Sequence, residues 1–210
     1  MKKGSIEKIC DVLNLDVKKC LIPEQDHTKN ISVITNGSED LEDVDGLVTN
    51  KKGFVLATKS ADCTSLLMYD PVKNAIASVH SGWRGTVKKI AVEAVNKMVK
   101  EYNSNPQDII CCICPSIREC HFEVEEDVKD IFSKTFNYED IIKVGRVYEG
   151  KQKYCVNTTK INKQLLKESG LKDENIIDCG LCTVCNKDNF HSYRAHKPNY
   201  GLNVAIISLK

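Results

Sequence analysis

The sequence predicts an α/β (α+β) fold in which mixed β-sheets are flanked by helices, layered α/β/β/α. Three observations carry that expectation. Short β-branched or apolar runs bounded by turn residues recur along the chain, as strands do. Between them lie longer segments whose apolar residues repeat at helical spacing. The two kinds are interleaved, and one strand pair forms an antiparallel hairpin, so the sheet is mixed.

The elements follow in order. In "IEKICDVLNL", Ile6, Ile9, Val12 and Leu13 have helical spacing. "ISVIT" (31–35) and "FVLAT" (54–58) read as strands, and so does "CTSLLMYD" (63–70), which ends at the turn dipeptide Asp70-Pro71. "AIASVH" (75–80) completes the hairpin and puts His80 at a strand's C-terminal end. After "SGWRGT" come apolar residues at 87, 90, 91, 94, 95, 98 and 99, an amphipathic helix, so Gly82-Trp83-Arg84-Gly85 is expected as the strand-to-helix turn. "DIICCIC" (108–114) predicts a short buried strand. "VEEDVKDIF" predicts a helix with Val124, Val128, Ile131 and Phe132 on one face. "TTKINKQLLKESG" predicts another, with Gly170 as its C-cap, and "NVAIISLK" a final strand.

Composition limits the function classes. Residues 1–210 contain no internal repeat, low-complexity tract or Pro/Gly/Ser linker, so one domain is expected. Thirty basic against 29 acidic residues give a formal charge of +1, which offers no footprint for nucleic acid or an anionic membrane. No apolar run approaches the roughly 18 residues of a membrane span, and the expected location is the cytoplasm. Eleven cysteines, an odd number in a long chain whose lysine-rich start leads into no apolar signal-like run, are expected to be reduced thiols, most of them buried.

The chemistry gathers around Cys63 and His80. A cysteine opening one strand and a histidine closing its hairpin partner can approach each other across the pair. Such a pair serves either as an imidazole-activated nucleophile or as two ligands of zinc or copper; a buried strand cysteine beside a hydrogen-bonded histidine is the plain alternative. The glycine-flanked Trp83-Arg84 favours function, because an arginine fixed at a helix start suits phosphate or carboxylate. A third ligand would come from His27, His121, His191 or His196.

Taken together, "ADC", "VHSGWRGT", "PSIRECHFEV" and the terminal "CT…FHSYRAH…G…VAIISL" resemble one family in its motif order. It is the laccase-domain or multicopper polyphenol oxidase family, also credited with purine nucleoside phosphorylase activity. The resemblance runs from about residue 24 to the C-terminus. It implies a metal site of His27 (in Gln25-Asp26-His27), Cys63 and His80, which here are 36 and 17 residues apart. It further implies zinc, alternatively copper, and phosphorolysis of adenosine, inosine and methylthioadenosine with hydrolytic deamination of adenosine. The partners are then a purine nucleoside and phosphate, and the assembly a monomer or homodimer. Polyphenol oxidation, an older reading of the family, needs several coppers, and this chain has only five histidines.

Within this reading Cys63 and His80 sit at the reaction centre. Arg84 is the candidate anion contact, with Arg194 in "SYRAH" as a second. Asp62 either orients a ligand, moves a proton to the purine, or caps a turn. The family has a preceding segment with an Arg-Gly-Gly-x-Ser motif; this sequence starts almost at the first helix, so pocket residues from that segment are expected to be absent. Family positions for arginine hold Ala195 and Leu202, which removes two positive charges.

Three rival readings stand beside this one. A cysteine hydrolase would use Cys63 as nucleophile and His80 as base. A binding module would keep the metal without turnover. The run Cys179-x2-Cys182-x2-Cys185, with Cys111, Cys112 and Cys114, could hold a structural zinc or an iron–sulfur cluster.

Overall fold

A hairpin of two seven-residue strands lies at the centre of the structure. The computed structural model describes residues 4–210. The chain order is α1 (Gly4–Leu13), β1 (Cys20–Leu21), β2 (Ile31–Val33), β3 (Gly46–Thr49), β4 (Val55–Ser60), β5 (Thr64–Asp70), β6 (Ala75–Ser81), α2 (Trp83–Val87), α3 (Ile90–Tyr102), β7 (Ile110–Ile113), β8 (Glu123–Val124), α4 (Glu126–Thr135), β9 (Ile142–Tyr148), β10 (Lys151–Val156), α5 (Thr158–Glu168), β11 (Ile176–Asp178), α6 (Tyr193–His196) and β12 (Asn203–Ser208).

The central hairpin is β5–β6. Asp70 closes it: its buried carboxylate accepts hydrogen bonds from the N–H groups of Val72 (2.8 Å) and Lys73 (3.0 Å), an Asx turn. A six-stranded sheet grows outward in the order β11-β7-β5-β6-β3-β2. The outermost pairings, β2–β3 and β7–β11, are parallel and the inner ones antiparallel, so the expected mixed sheet is present. A second sheet, β1-β4-β12, packs on one face of it, and a third, β8-β10-β9, adds Val124 and Val156 to the main core.

Alternation along β6 builds the two sides of the large sheet. Ala77 and Val79 join Leu66 and Met68 of β5, and Ile90, Ala94, Val95 and Met98 of α3, in the main core. Ile76 faces the other way and packs with Leu47, Leu56 and Leu209 between the sheets. His80 lies on that same face, two residues beyond Ser78 and four beyond Ile76. Helix α1 lies by the small sheet, with Cys10 against Cys20. None of the described helices is long and apolar enough to cross a membrane.

Three expectations change in detail. The long helix does not continue from Val87: α2 is a separate helix that already includes Trp83, Arg84 and Gly85, and Lys89 in the left-handed region (φ 60°) breaks the chain before α3 begins at Ile90. Val124 does not share a helix face with Phe132. It pairs with Tyr154 in β8, while Ile131 is 39% exposed and Phe132 fully buried. The segment 108–114 buries alternate residues rather than all of them, because one face of β7 is only partly covered. The Gly170 cap is as expected: Gly170 (φ 98°) and Leu171 donate their N–H groups to Lys167 and Leu166, a Schellman closure.

The core makes one direct prediction. Leu66 is fully buried in the cluster that joins β5 to α3. Leu66→Ala should lower unfolding free energy by about 2–5 kcal/mol, seen as a reduced urea midpoint with an unchanged slope.

Candidate metal centre

Three segments deliver the ligand candidates to one place. β6 and β5 pair with Ser65 opposite His80 and Thr64 opposite Ser81. Cys63, one step before β5, therefore falls opposite Gly82 and diagonal to His80. A Cβ on Gly82 would lie 3.2 Å from Cys63 Sγ and 2.7 Å from His27 Cδ2. Only glycine leaves room there for both ligand side chains.

His27 arrives on a loop held at several points. The Gln25 side chain exchanges two hydrogen bonds with the Lys59 backbone on β4, its amide donating at 2.6 Å and its oxygen accepting at 2.7 Å. His27 takes a left-handed backbone (φ 59°), uncommon for a residue with a Cβ. Asp45 compensates by accepting from the N–H groups of His27 (3.2 Å) and Thr28 (2.6 Å), and Lys88 Nζ donates to the His27 carbonyl at 2.9 Å.

The result is convergence. Cys63 Sγ and His27 Nε2 are 4.0 Å apart, and the ligand atoms of His27, Cys63 and His80 all lie within 4.8 Å of one another. The two imidazoles meet edge to face with centroids 5.0 Å apart. His80 Nδ1 lies 2.7 Å from Asp45 Oδ1. A carboxylate only accepts, so Nδ1 carries the proton and Nε2 is the nitrogen left for a ligand.

The sulfur and the imidazole stabilise each other's charged forms. Burial pushes the Cys63 thiol up, but hydrogen bonding and charge from His27 and His80 outweigh it and bring the pKa from 9.0 down to about 7. Burial pushes His80 down, and the Asp45 carboxylate followed by the Cys63 sulfur raise it from 6.5 to about 9. A thiolate and a strongly basic imidazole facing one point are the donors a borderline-soft cation selects. Two imidazoles and one thiolate fit zinc with a fourth position left open.

A cavity of about 680 Å³ opens onto this group. Trp83, Arg84, Phe122, Tyr193 and Tyr200 contribute to its walls. Arg84 is exposed, with its guanidinium 4.2 Å over the Trp83 ring, and among the described residues no acid pairs with it. Arg194 also lines the cavity, but its terminal nitrogens are engaged, donating to the carbonyls of His121 (2.8 Å) and Glu123 (3.0 Å). Asp62 uses both carboxylate oxygens: one accepts from the Thr183 hydroxyl (2.6 Å), the other from the Arg194 N–H (2.7 Å). Both residues hold the wall in place. Leu202 lines the cavity as well, whereas Ala195 does not.

Sequence reasoning missed Asp45. Nothing in "VDG" marks it, because its role comes from the parallel pairing of β2 with β3, which lays the His27 loop over its carboxylate.

A sequence model of the family described as "Multi-copper polyphenol oxidoreductase laccase" matches residues 3–210. The chain belongs to this family. The purine nucleoside phosphorylase YlmD of Bacillus subtilis (strain 168) is 32% identical over 213 residues, covering 97% of this chain and 76% of that protein. The adenosine deaminase RL5, from an unknown prokaryotic organism, is 31% identical over 199 residues, covering 90% and 74%. The crystal structure of the Bacillus licheniformis hypothetical protein YfiH superposes with a TM-score of 0.89 at 28% identity, covering 98% of this chain and 79% of that one. This member of the laccase family thus shares its fold with a solved relative over nearly its whole length.

Two substitutions test the centre. Asp45→Asn should weaken zinc binding by about 10–100-fold while the chain stays folded, since removing an outer partner costs that much at comparable sites; competition against a chromophoric chelator measures it. Gly82→Ala should likewise lower zinc occupancy, because the added methyl displaces His27, and elemental analysis of the purified variant reads it.

Proposed function

We propose that this chain is a metal-dependent purine nucleoside enzyme. It cleaves adenosine, inosine or methylthioadenosine with phosphate and deaminates adenosine hydrolytically. The observation that carries the reading is the convergence of His27, Cys63 and His80 on one point beside a cavity of about 680 Å³ whose Arg84 guanidinium has no acidic partner among the described residues. The names of the relatives, purine nucleoside phosphorylase and adenosine deaminase, support the substrate class.

Bound in this set, zinc supplies Lewis acidity and an activated water; copper is the alternative ion. The remaining work belongs to the chain. Arg84 binds the phosphate dianion, stiffened by its stacking on Trp83. In phosphorolysis a phosphate oxygen forms a bond to the ribose C1′ as the bond to the purine nitrogen breaks. Tyr193 and Tyr200, packed edge to face at 5.0 Å, offer apolar faces to a base, and Leu202 extends that wall. Asp62 fixes the Arg194 backbone and the Thr183 turn, and so ties that wall of the cavity together.

One observation favours a second reading. Asp45, His80 and Cys63 stand in the order of a hydrolase triad, with an acid on one nitrogen of the imidazole and a thiol near the other. A triad, however, has no use for His27 Nε2 placed 4.0 Å from the sulfur. Stoichiometric metal on the purified protein with slow alkylation of Cys63 supports the nucleoside enzyme. Metal-free protein whose Cys63 alkylates quickly at neutral pH supports the hydrolase.

The kinetic test separates two roles. His80→Ala should abolish both phosphorolysis of inosine and deamination of adenosine. Arg84→Ala should raise the KM for phosphate by about tenfold or more, the loss of one charge-assisted contact, and leave phosphate-independent deamination nearly unchanged. Equal rates for wild type and His80→Ala would remove the centre from the chemistry.

A further inference from the structure

A second group of soft donors lies apart from the first. The 118–123 segment, between β7 and β8, carries Cys120 and His121; the turn after β11 carries Cys182 and Cys185. All four ligand atoms lie within 4.8 Å of one another. Cys120 Sγ is 3.2 Å from His121 Nδ1 and 3.8 Å from Cys185 Sγ; His121 Nδ1 is 3.8 Å from Cys182 Sγ and 3.5 Å from Cys185 Sγ. A zinc tetrahedron with Zn–S of about 2.3 Å and Zn–N of about 2.0–2.1 Å has sulfur–sulfur edges of about 3.8 Å and sulfur–nitrogen edges of about 3.6 Å. The side chains already stand near those edges.

We propose that Cys120, His121, Cys182 and Cys185 bind one structural Zn²⁺, a second metal centre in this protein. Three thiolates and one imidazole close the tetrahedron and leave no position for water, as in structural sites rather than catalytic ones. Donor atoms all within 4.8 Å of one another suit a single ion. Of the Cys179-x2-Cys182-x2-Cys185 run, Cys182 and Cys185 belong to this group and Cys179 does not: the Arg118 guanidinium lies 3.7 Å from its sulfur, and His121 takes the remaining place.

The surrounding backbone is prepared for the ion. The two loops meet without metal: Ser116 and Cys182 form an isolated bridge, Thr183 N donates to the Ser116 carbonyl at 3.1 Å, and Arg118 pairs with Asp178. Metal binding adds a crosslink between segments that the fold has already brought together. The 118–123 segment carries Phe122 and directly follows Ile117, both of which line the nucleoside cavity, so the ion stiffens that side of the site.

The proposal stands or falls independently of the first centre. In the full chain carrying His27→Ala and His80→Ala, grown with zinc, elemental analysis should still find one zinc per chain, lost when Cys182→Ser and Cys185→Ser are added. No zinc in the first double variant overturns the proposal. Because either variant could fold poorly, a second measurement uses the unaltered chain. Cys120 and Cys185, both exposed, are alkylated with and without a zinc chelator and mapped by mass spectrometry. Removing zinc should speed their labelling on the order of tenfold, since the free thiolate is the nucleophile. Equal rates, or a Cys120–Cys185 disulfide in the purified protein, overturn it.

Discussion

The buried carboxylate of Asp45 is the interaction on which the first centre depends. It is fully shielded from solvent and accepts from four donors: the N–H groups of His27 and Thr28, the Thr28 hydroxyl and His80 Nδ1. An unpaired charge at that depth would be prohibitively costly, so the donors and the carboxylate hold one another in place. Strand β6 and the His27 loop are far apart in sequence, yet they cannot move independently. The same anion sets the tautomer of His80 and keeps its other nitrogen aimed at Cys63.

A second carboxylate does comparable work on the opposite wall. Asp62 adopts a positive φ of 87°, a strained choice for a residue with a side chain. Its neighbours over-determine that conformation: Ile117 N–H donates to its carbonyl, and Thr183 and Arg194 to its carboxylate. Cys63 is the next residue, so fixing Asp62 also fixes where the thiolate begins. The Thr183 turn and the 118–123 segment are in turn the parts that hold the second set of donors. Both donor groups thus hang on one connected frame in which buried acids join loops to the large sheet.

Much of the fold was legible wherever an element was long enough to show a period. Helix α3 displayed its buried stripe, the β5–β6 hairpin displayed its Asp-Pro turn, and α5 displayed its glycine cap. Short or half-exposed elements carried too weak a pattern. The β9–β10 hairpin went unread because Val144, Val147 and Tyr148 face solvent, and because its two-residue turn, Glu149-Gly150 with both φ values positive, starts with a residue that seldom marks such turns. Strand β3 has four residues, buried on both faces, with no alternation to detect.

By itself the sequence determined which chemistry was possible: thiols and imidazoles in a nearly neutral chain, the residues of a family motif in order, and a hairpin able to bring Cys63 toward His80. The tertiary structure decided which donors share an ion. His27 and His121 are equally plausible ligands as letters. Only the parallel pairing of β2 with β3 sends the first to Cys63, and only the bridge between Ser116 and Cys182 sends the second to a different set of thiols. The physical reason is range. A metal reads distances of a few ångströms between side-chain atoms, and those are fixed by register, loop closure and buried hydrogen bonds, none of which is written in the spacing of residues along a chain.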